Sequence, residues 1–181
     1  MYAVTTSILF SMILYRVQGI MKVRKMVSLI LKGISELMPL ALLMMLAFSI
    51  SNVCNTLGTG PYVAGITEGW LSPALLPAIV FVLSSFIAFS TGTSWGTFAI
   101  MISIALPMAE MHGANLFLVL AATMGGGVFG DHCSPISDTT MISSMASASD
   151  HIDHVKTQMP YALLAGLITT LLYLILGFVI H

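Results

Sequence analysis

Charged residues are scarce in this chain. Its 181 residues include six basic and seven acidic side chains, or 7% of the total, whereas 57% are hydrophobic. Soluble domains carry about 25% charged residues, because a folded domain needs a polar surface that faces water. So few charges cannot cover a soluble protein of this size. Together with the long apolar runs, the composition predicts an integral membrane protein that faces the lipid bilayer over most of its surface.

Other features are rare as well, and each absence excludes a class of protein. Two cysteines, Cys54 and Cys133, cannot form a disulfide framework. The net charge of −1 is uninformative, and nothing else in the sequence suggests a nucleic-acid partner. The first basic residue, Arg16, follows the first apolar run, whereas a secretory signal has its basic residues before that run. The chain therefore fits neither a secreted disulfide-rich protein nor a nucleic-acid-binding one.

The basic residues are concentrated in one place. Five of the six lie in the stretch 16–32, which contains no acid. By the positive-inside rule, this stretch is predicted to be a cytoplasmic connection. Apolar runs follow the chain at 2–15, 36–53, 73–108, 114–145 and 161–180. We predict an all-α integral membrane protein, a single membrane domain over 1–181, with about five to seven transmembrane or re-entrant helical segments.

Two of the apolar runs are interrupted by polar residues. The sequence "STGTSWGT" (90–97) interrupts the third run, and "GGGVFGDHCSPISDTT" (125–140) interrupts the fourth. Irregular backbone at membrane depth has to be buried in protein or line a watery cavity, and paired interrupted helices are typical of secondary transporters. We therefore predict two discontinuous helices with Gly/Ser/Thr/Asp-rich breaks. The second break is expected at Gly125–Ser137, with flexible glycines, Pro135 in the gap and Asp138 as a candidate helix N-cap.

The breaks are rich in oxygen ligands, which hard cations such as Na⁺ prefer. An aspartate in the middle of a bilayer costs about 2.5–3.5 kcal/mol, so two acids in one break indicate a function. The alternative is that the break lies at the membrane surface and that Asp131 and Asp138 are solvated. The candidate oxygen ligands, in the breaks and at the end of the second apolar run, are Asn52, Thr56, Ser90, Thr91, Thr93, Ser94, Asp131, Ser134, Ser137, Asp138 and Thr139.

A metal-dependent membrane enzyme is a second interpretation of the same residues. His132, Cys133, His151 and His154 are all possible metal ligands. Zinc ligands are usually two to five residues apart, whereas His132 and Cys133 are adjacent and point in different directions. The sequence also lacks an HExxH motif and a nucleophile elbow. We therefore expect no enzyme activity, no catalytic residue and no cofactor.

Two long stretches resemble the hallmark sequences of a known family. "STGTSWGTFAIMISIALPMA" and "GGGVFGDHCSPISDTTMISSMASASDHIDHVKTQMPYALLAG" are similar to those of the NhaC-type Na⁺/H⁺ antiporters, within the ion transporter superfamily. The resemblance implies a multi-pass protein of the bacterial inner (cell) membrane that exchanges Na⁺ for H⁺. It implies that Na⁺ binds at Asp131 and Asp138. It further implies that Ser134, Ser137 and Thr139 complete the cation and proton site, that Ser90, Thr91, Thr93 and Ser94 form its second wall, and that Asn52 and Thr56 lie nearby.

The resemblance leaves three alternatives open. It covers 36–181 and only the C-terminal half of the usual family chain. The chain is therefore expected to be a half that needs a separate N-terminal half or a second copy of itself, or else a fragment or subunit that does not transport. Related subgroups exchange organic anions, malate for lactate, coupled to H⁺ or Na⁺, so the resemblance leaves the substrate open.

Overall fold

The computed structural model describes residues 2–67, 69 and 71–180. In these residues the chain forms helices and short connections, without strands, which confirms the all-α prediction. The helices are α1 (Tyr2–Val17), α2 (Val23–Thr56), α3 (Thr59–Thr67), α4 (Leu76–Thr91), α5 (Ser94–His112), α6 (Leu116–Cys133), α7 (Asp138–Ala146) and α8 (His151–Val179). Three of these helices, α5, α6 and α8, are long and apolar enough to cross a membrane, and 5–17 and 76–91 are shorter apolar helices.

The chain divides into two compact units, Met1–Leu43 and Met44–His181. The first unit contains α1 and the first part of α2. Most of the basic stretch 16–32 belongs to α2, because that helix begins at Val23 and continues for 34 residues through the predicted span 36–53. The cytoplasmic side of this stretch stays a prediction, as does the single membrane domain over 1–181.

In the second unit, α4 and α6 lie against each other with their backbones in close contact. A methyl group on Gly126 would collide with the carbonyl of Phe81, and one on Gly130 would collide with the carbonyl of Ser85. From Gly126 to Gly130 the contact moves one turn along α6, and its partner on α4 also moves one turn forward, from Phe81 to Ser85. The two helices therefore run in the same direction. Small residues allow membrane helices to approach in this way.

The predicted break is present, but it covers only residues 134–137. The prediction that it begins at Gly125 and that the glycines make it flexible is wrong, because α6 continues to Cys133. Its glycines are packing positions. Gly127 lies against the ring of Phe98 on α5, and Gly125 lies against the hydroxyl of Tyr173 on α8. Glycine costs about 1 kcal/mol in a helix relative to alanine. Here this cost is offset by contacts with α4, α5 and α8 that a larger residue would prevent.

Helix α5 runs back alongside α4. The core cluster joins Leu76 and Val80, in the first half of α4, to Ala105 and Met108, in the second half of α5, and to Val119 of α6. The first half of α4 and the second half of α5 are therefore level with each other. Consequently, the first break is a reversal between two antiparallel helices. Helix α5 has 19 residues and is longer than α4, which has 16.

Helix α8 runs antiparallel to α6. Its Gln158 contacts His132 near the end of α6, whereas its Tyr173 contacts Gly125 eight residues before that end. The first turns of α8 therefore lie beside the last turn of α6. Both breaks lie at this same end of the helix bundle, level with His151–Gln158 and before the apolar stretch 161–180 of α8.

Candidate functional site

Helix α6 ends and α7 begins across a gap of residues 134–137. Pro135 lies in the gap and has no N–H with which to continue the helix. Ser137 caps the new helix, since its Oγ accepts a hydrogen bond from the N–H of Thr140 at 3.3 Å. The prediction that Asp138 is the N-cap is therefore wrong. Asp138 is the first residue of α7, one position after the cap.

A buried carboxylate lies at the centre of this break. The Asp131 side chain, in the last turn of α6, is 4% exposed. Its Oδ1 accepts a hydrogen bond from the hydroxyl of Ser137 at 2.7 Å, and its Oδ2 accepts one from the hydroxyl of Thr139 at 3.2 Å. The two hydroxyl oxygens are themselves 2.8 Å apart. We call Asp131, Ser137 and Thr139 the Asp131 cluster.

The position of the cluster favours negative charge. Ser137 and Thr139 lie at the N-terminus of α7, where free backbone N–H groups carry partial positive charge. Thr139 is exposed, so the cluster reaches the surface on that side. Asp131 is therefore buried and hydrogen-bonded, but its hydrogen-bond partner Thr139 is exposed.

The other residues predicted for this break lie outside the cluster. Ser134 is fully buried, and its Oγ accepts a hydrogen bond from the N–H of Ile136 at 3.4 Å. Asp138 is exposed, and its side chain forms no hydrogen bond with any described residue. The two acids thus have different surroundings: the structure buries Asp131 and turns Asp138 outward.

The first break touches the second through Gly92. This residue follows α4 with φ at +68°, and its N–H donates to the carbonyl of Ala88 at 2.8 Å. A methyl group on Gly92 would lie 2.8 Å from the carbonyl oxygen of Ile136 in the other break. Both the left-handed backbone and the close approach require glycine here. The backbones of the two breaks are therefore in close contact at Gly92 and Ile136.

The hydroxyl groups of the first break bond to their own helices. Ser90 donates to the carbonyl of Phe86 at 2.8 Å, and Thr91 donates to that of Ile87 at 2.9 Å. Thr93 and Ser94 are half-buried at the reversal. Within the described part of the chain, none of these four side chains is hydrogen-bonded to the Asp131 cluster.

Asn52 and Thr56 lie exposed near the end of α2. The hydroxyl of Thr56 donates to the carbonyl of Asn52 at 2.9 Å. No hydrogen bond between described residues joins either side chain to the Asp131 cluster. The structure therefore does not bring these two predicted residues into the site.

Replacing Gly92 with alanine is expected to separate the two breaks. The new methyl group would meet the Ile136 carbonyl, and the residue would keep a positive φ, so we expect a loss of about 1–3 kcal/mol in stability. The melting temperature of detergent-purified protein measures this loss. Gly113→Ala is the matched control, because Gly113 also has a φ of +70° but has no atom within 4 Å of the added methyl. Equal melting temperatures for the two variants would contradict the close contact.

Sequence reasoning missed the side chains of α8 that contact the break. His151 lies 2.6 Å from the carbonyl oxygen of Pro135, and Gln158 donates to that of His132 at 3.1 Å. The polar residues that begin the otherwise apolar helix α8 could have indicated this contact. Across residues 2–67, 69 and 71–180, the structure contains no group of three or more His, Cys, Asp or Glu side chains that could hold a metal ion.

Comparisons with known proteins identify the family of the chain. The model of the Na⁺/H⁺ antiporter family matches residues 2–178. No solved structure matches the chain. An uncharacterized protein of Haemophilus influenzae is 44% identical over 147 residues, which are 81% of this chain and 28% of that protein.

Two further relatives have names that describe an activity. The Malate-2H(+)/Na(+)-lactate antiporter of Bacillus subtilis is 32% identical over 109 residues, which are 60% of this chain and 23% of the relative. An uncharacterized Na(+)/H(+) antiporter of Haemophilus influenzae is 28% identical over 144 residues, or 80% of this chain and 31% of the relative. The chain thus spans less than a third of the length of these relatives. Because the family model matches nearly the whole chain, the chain is a membrane protein that belongs to the Na⁺/H⁺ antiporter family, whose members are transporters and not enzymes.

Proposed function

We propose that this chain is part of a secondary transporter that exchanges Na⁺ for H⁺ across the cell membrane, with Asp131 binding the two ions in turn. The observation that carries the proposal is the set of three contacts in the Asp131 cluster, which needs more protons than its two hydroxyl groups supply. Its oxygens form three close contacts, at 2.7, 2.8 and 3.2 Å. Each hydrogen bond needs one proton, but Ser137 and Thr139 have only one hydroxyl proton each.

A third proton on Asp131 completes the cluster. The carboxylic acid then donates to Thr139, Thr139 donates to Ser137, and Ser137 donates to the other carboxylate oxygen. With Asp131 ionised, one of the three oxygen–oxygen contacts has no proton between its atoms. The cluster therefore offers a place for one removable proton.

A Na⁺ ion can take the place of that proton. The hydroxyl groups of Ser137 and Thr139 can rotate so that their lone pairs, with the carboxylate, face the cation. Because a protonated carboxylate has lost the charge that attracts Na⁺, the two ions compete for Asp131. Alternating exposure of such a site to the two sides of the membrane produces antiport without a covalent step.

Because the chain covers less than a third of each of the three relatives described above, we propose that it works with a further membrane segment on a separate polypeptide, with a second copy of the chain as the alternative. An organic-anion exchange of the malate/lactate type is the second candidate. The observation that favours it is the similarity to the Bacillus subtilis relative, whose name includes malate, lactate, H⁺ and Na⁺.

Proton movement in everted membrane vesicles tests the proposal. We expect Na⁺ to release protons from vesicles that contain this chain together with the remaining segment of the transporter, and not from vesicles that contain this chain alone. The comparison cations are Li⁺ and K⁺. Parallel vesicles loaded with malate or lactate test the second candidate, which predicts proton movement only when the anion is present. Na⁺-dependent proton movement with this chain alone would refute the need for a separate polypeptide and would indicate a second copy as the further segment. No proton movement in any combination would refute antiport.

A further inference from the structure

The break between α6 and α7 leaves backbone carbonyls without helical partners, and α8 supplies donors for two of them. Gln158 donates to the carbonyl of His132 at 3.1 Å. The Nε2 atom of His151 lies 2.6 Å from the carbonyl oxygen of Pro135. Since a carbonyl oxygen only accepts hydrogen bonds, this nitrogen carries the proton and donates it.

The half-buried ring of His151 also contacts α7. Its Nδ1 lies 3.2 Å from the hydroxyl oxygen of Ser144, a residue that is 2% exposed. One side chain at the start of α8 therefore joins three parts of the structure: the break, α7 and α8. Pro135 is two residues before Ser137, whose hydroxyl bonds to Asp131. The contact at Pro135 thus restricts the part of the chain that carries the Ser137 hydroxyl.

We infer that His151 is a positioning residue for the Asp131 cluster. By holding the Pro135 carbonyl, it keeps the hydroxyls of Ser137 and Thr139 at hydrogen-bonding distance from Asp131. His151 forms no hydrogen bond with Asp131 itself, so it acts through the backbone of the break. As a role in ion binding, the inference rests on the proposed function, whereas its structural part can be tested without transport.

Two variants of His151 separate its two contacts. Glutamine can place an N–H donor near the position of Nε2 and can keep the bond to Pro135. Asparagine is shorter and reaches only the position of Nδ1, so it can keep Ser144 but loses Pro135. If the Pro135 contact positions the cluster, His151→Gln is expected to retain function and His151→Asn is expected to lose it.

Transport kinetics of the complete transporter provide the first measurement. For His151→Asn we expect the half-saturating Na⁺ concentration to rise about tenfold, as for the loss of one hydrogen bond, with a smaller change in maximal rate. His151→Gln is expected to stay within about twofold of the wild type. The matched controls are His154→Asn and His154→Gln, one turn further along α8, where the side chain forms no hydrogen bond among the described residues. Equal values for His151→Asn and His154→Asn would overturn the role in ion binding.

Hydrogen exchange of the purified full chain provides the second measurement, which needs no transport. In His151→Asn, backbone amides of residues 134–140 are expected to exchange faster, and those of residues 116–130 at the wild-type rate. Faster exchange in both segments, or in neither, would overturn the positioning role. Wild-type transport by an Asp131→Asn variant would refute the proposed function instead and would leave the exchange result for His151 unaffected.

Discussion

Replacement of Asp131 with asparagine is expected to abolish Na⁺-dependent proton movement while the protein still accumulates in the membrane. Asparagine has the shape of aspartic acid and supplies its own N–H, so it can donate to Thr139 and accept from Ser137. All three contacts of the Asp131 cluster would then have a proton that cannot leave. We therefore expect normal stability, no proton release and no charge to hold Na⁺. Proton movement in everted vesicles, together with the amount of protein in the membrane, measures both effects.

Asp138→Asn is the matched control for this variant. The Asp138 side chain is exposed and lies outside the cluster, so we expect its loss to raise the half-saturating Na⁺ concentration by less than about tenfold. Thr139→Val keeps the shape of threonine but removes one of the cluster protons. Its loss of Na⁺-dependent proton movement should lie between those of Asp138→Asn and Asp131→Asn. If the Asp131→Asn transporter works at the wild-type rate, the carboxylate is structural and the ions bind elsewhere.

Gly130→Ala is expected to have a large effect on stability. The added methyl group would collide with the backbone carbonyl of Ser85, and the Ala88 side chain is also close, at 2.9 Å. A backbone carbonyl in a helix cannot turn aside as a flexible side chain can, so α4 and α6 must separate. We expect a loss of about 1–3 kcal/mol or more, and a decrease in the melting temperature of the purified protein of roughly 2–12 °C.

Gly65→Ala provides the control for this substitution. Gly65 lies in α3, in the same compact unit, and an added methyl group there meets no atom within 4 Å. Because alanine favours a helix more than glycine does, this variant should be as stable as the wild type or slightly more stable. Equal losses in the two variants would show that α4 and α6 are not in close contact at Gly130.

Much of the fold and part of the site could be predicted from the sequence. Scarce charges and long apolar runs indicated membrane helices, and a proline between two apolar runs marked the interruption near Pro135. The glycines of α6 were misinterpreted because a glycine that allows bending and one that allows close packing look the same in a sequence. Only the neighbouring Phe81 and Ser85 on α4 distinguish them. The spacing 126 and 130, one helical turn, is what a packing face produces.

The different surroundings of the two acids could not be predicted. Asp131 and Asp138 lie in the same motif, and each is followed within a few residues by hydroxyl side chains. Which of them is buried depends on the face that α6 turns toward α4 and on the direction in which α7 leaves the break. Both are decided by contacts between residues far apart in sequence. The contact of His151 with Pro135, sixteen residues away in sequence, could not be predicted for the same reason.

The location of both breaks at one end of the helix bundle has an electrical consequence. The Asp131 cluster is level with the polar first turns of α8, and most of the apolar stretch 161–180 extends away from it toward the opposite end. In a bilayer, where 100 mV changes the energy of a unit charge by about 2.3 kcal/mol, most of the voltage drop would lie between the cluster and that opposite end. An ion that enters from the nearer face would cross little of the field. Under the proposed exchange at Asp131, the membrane potential would therefore act mainly on the step that connects this residue with the far side.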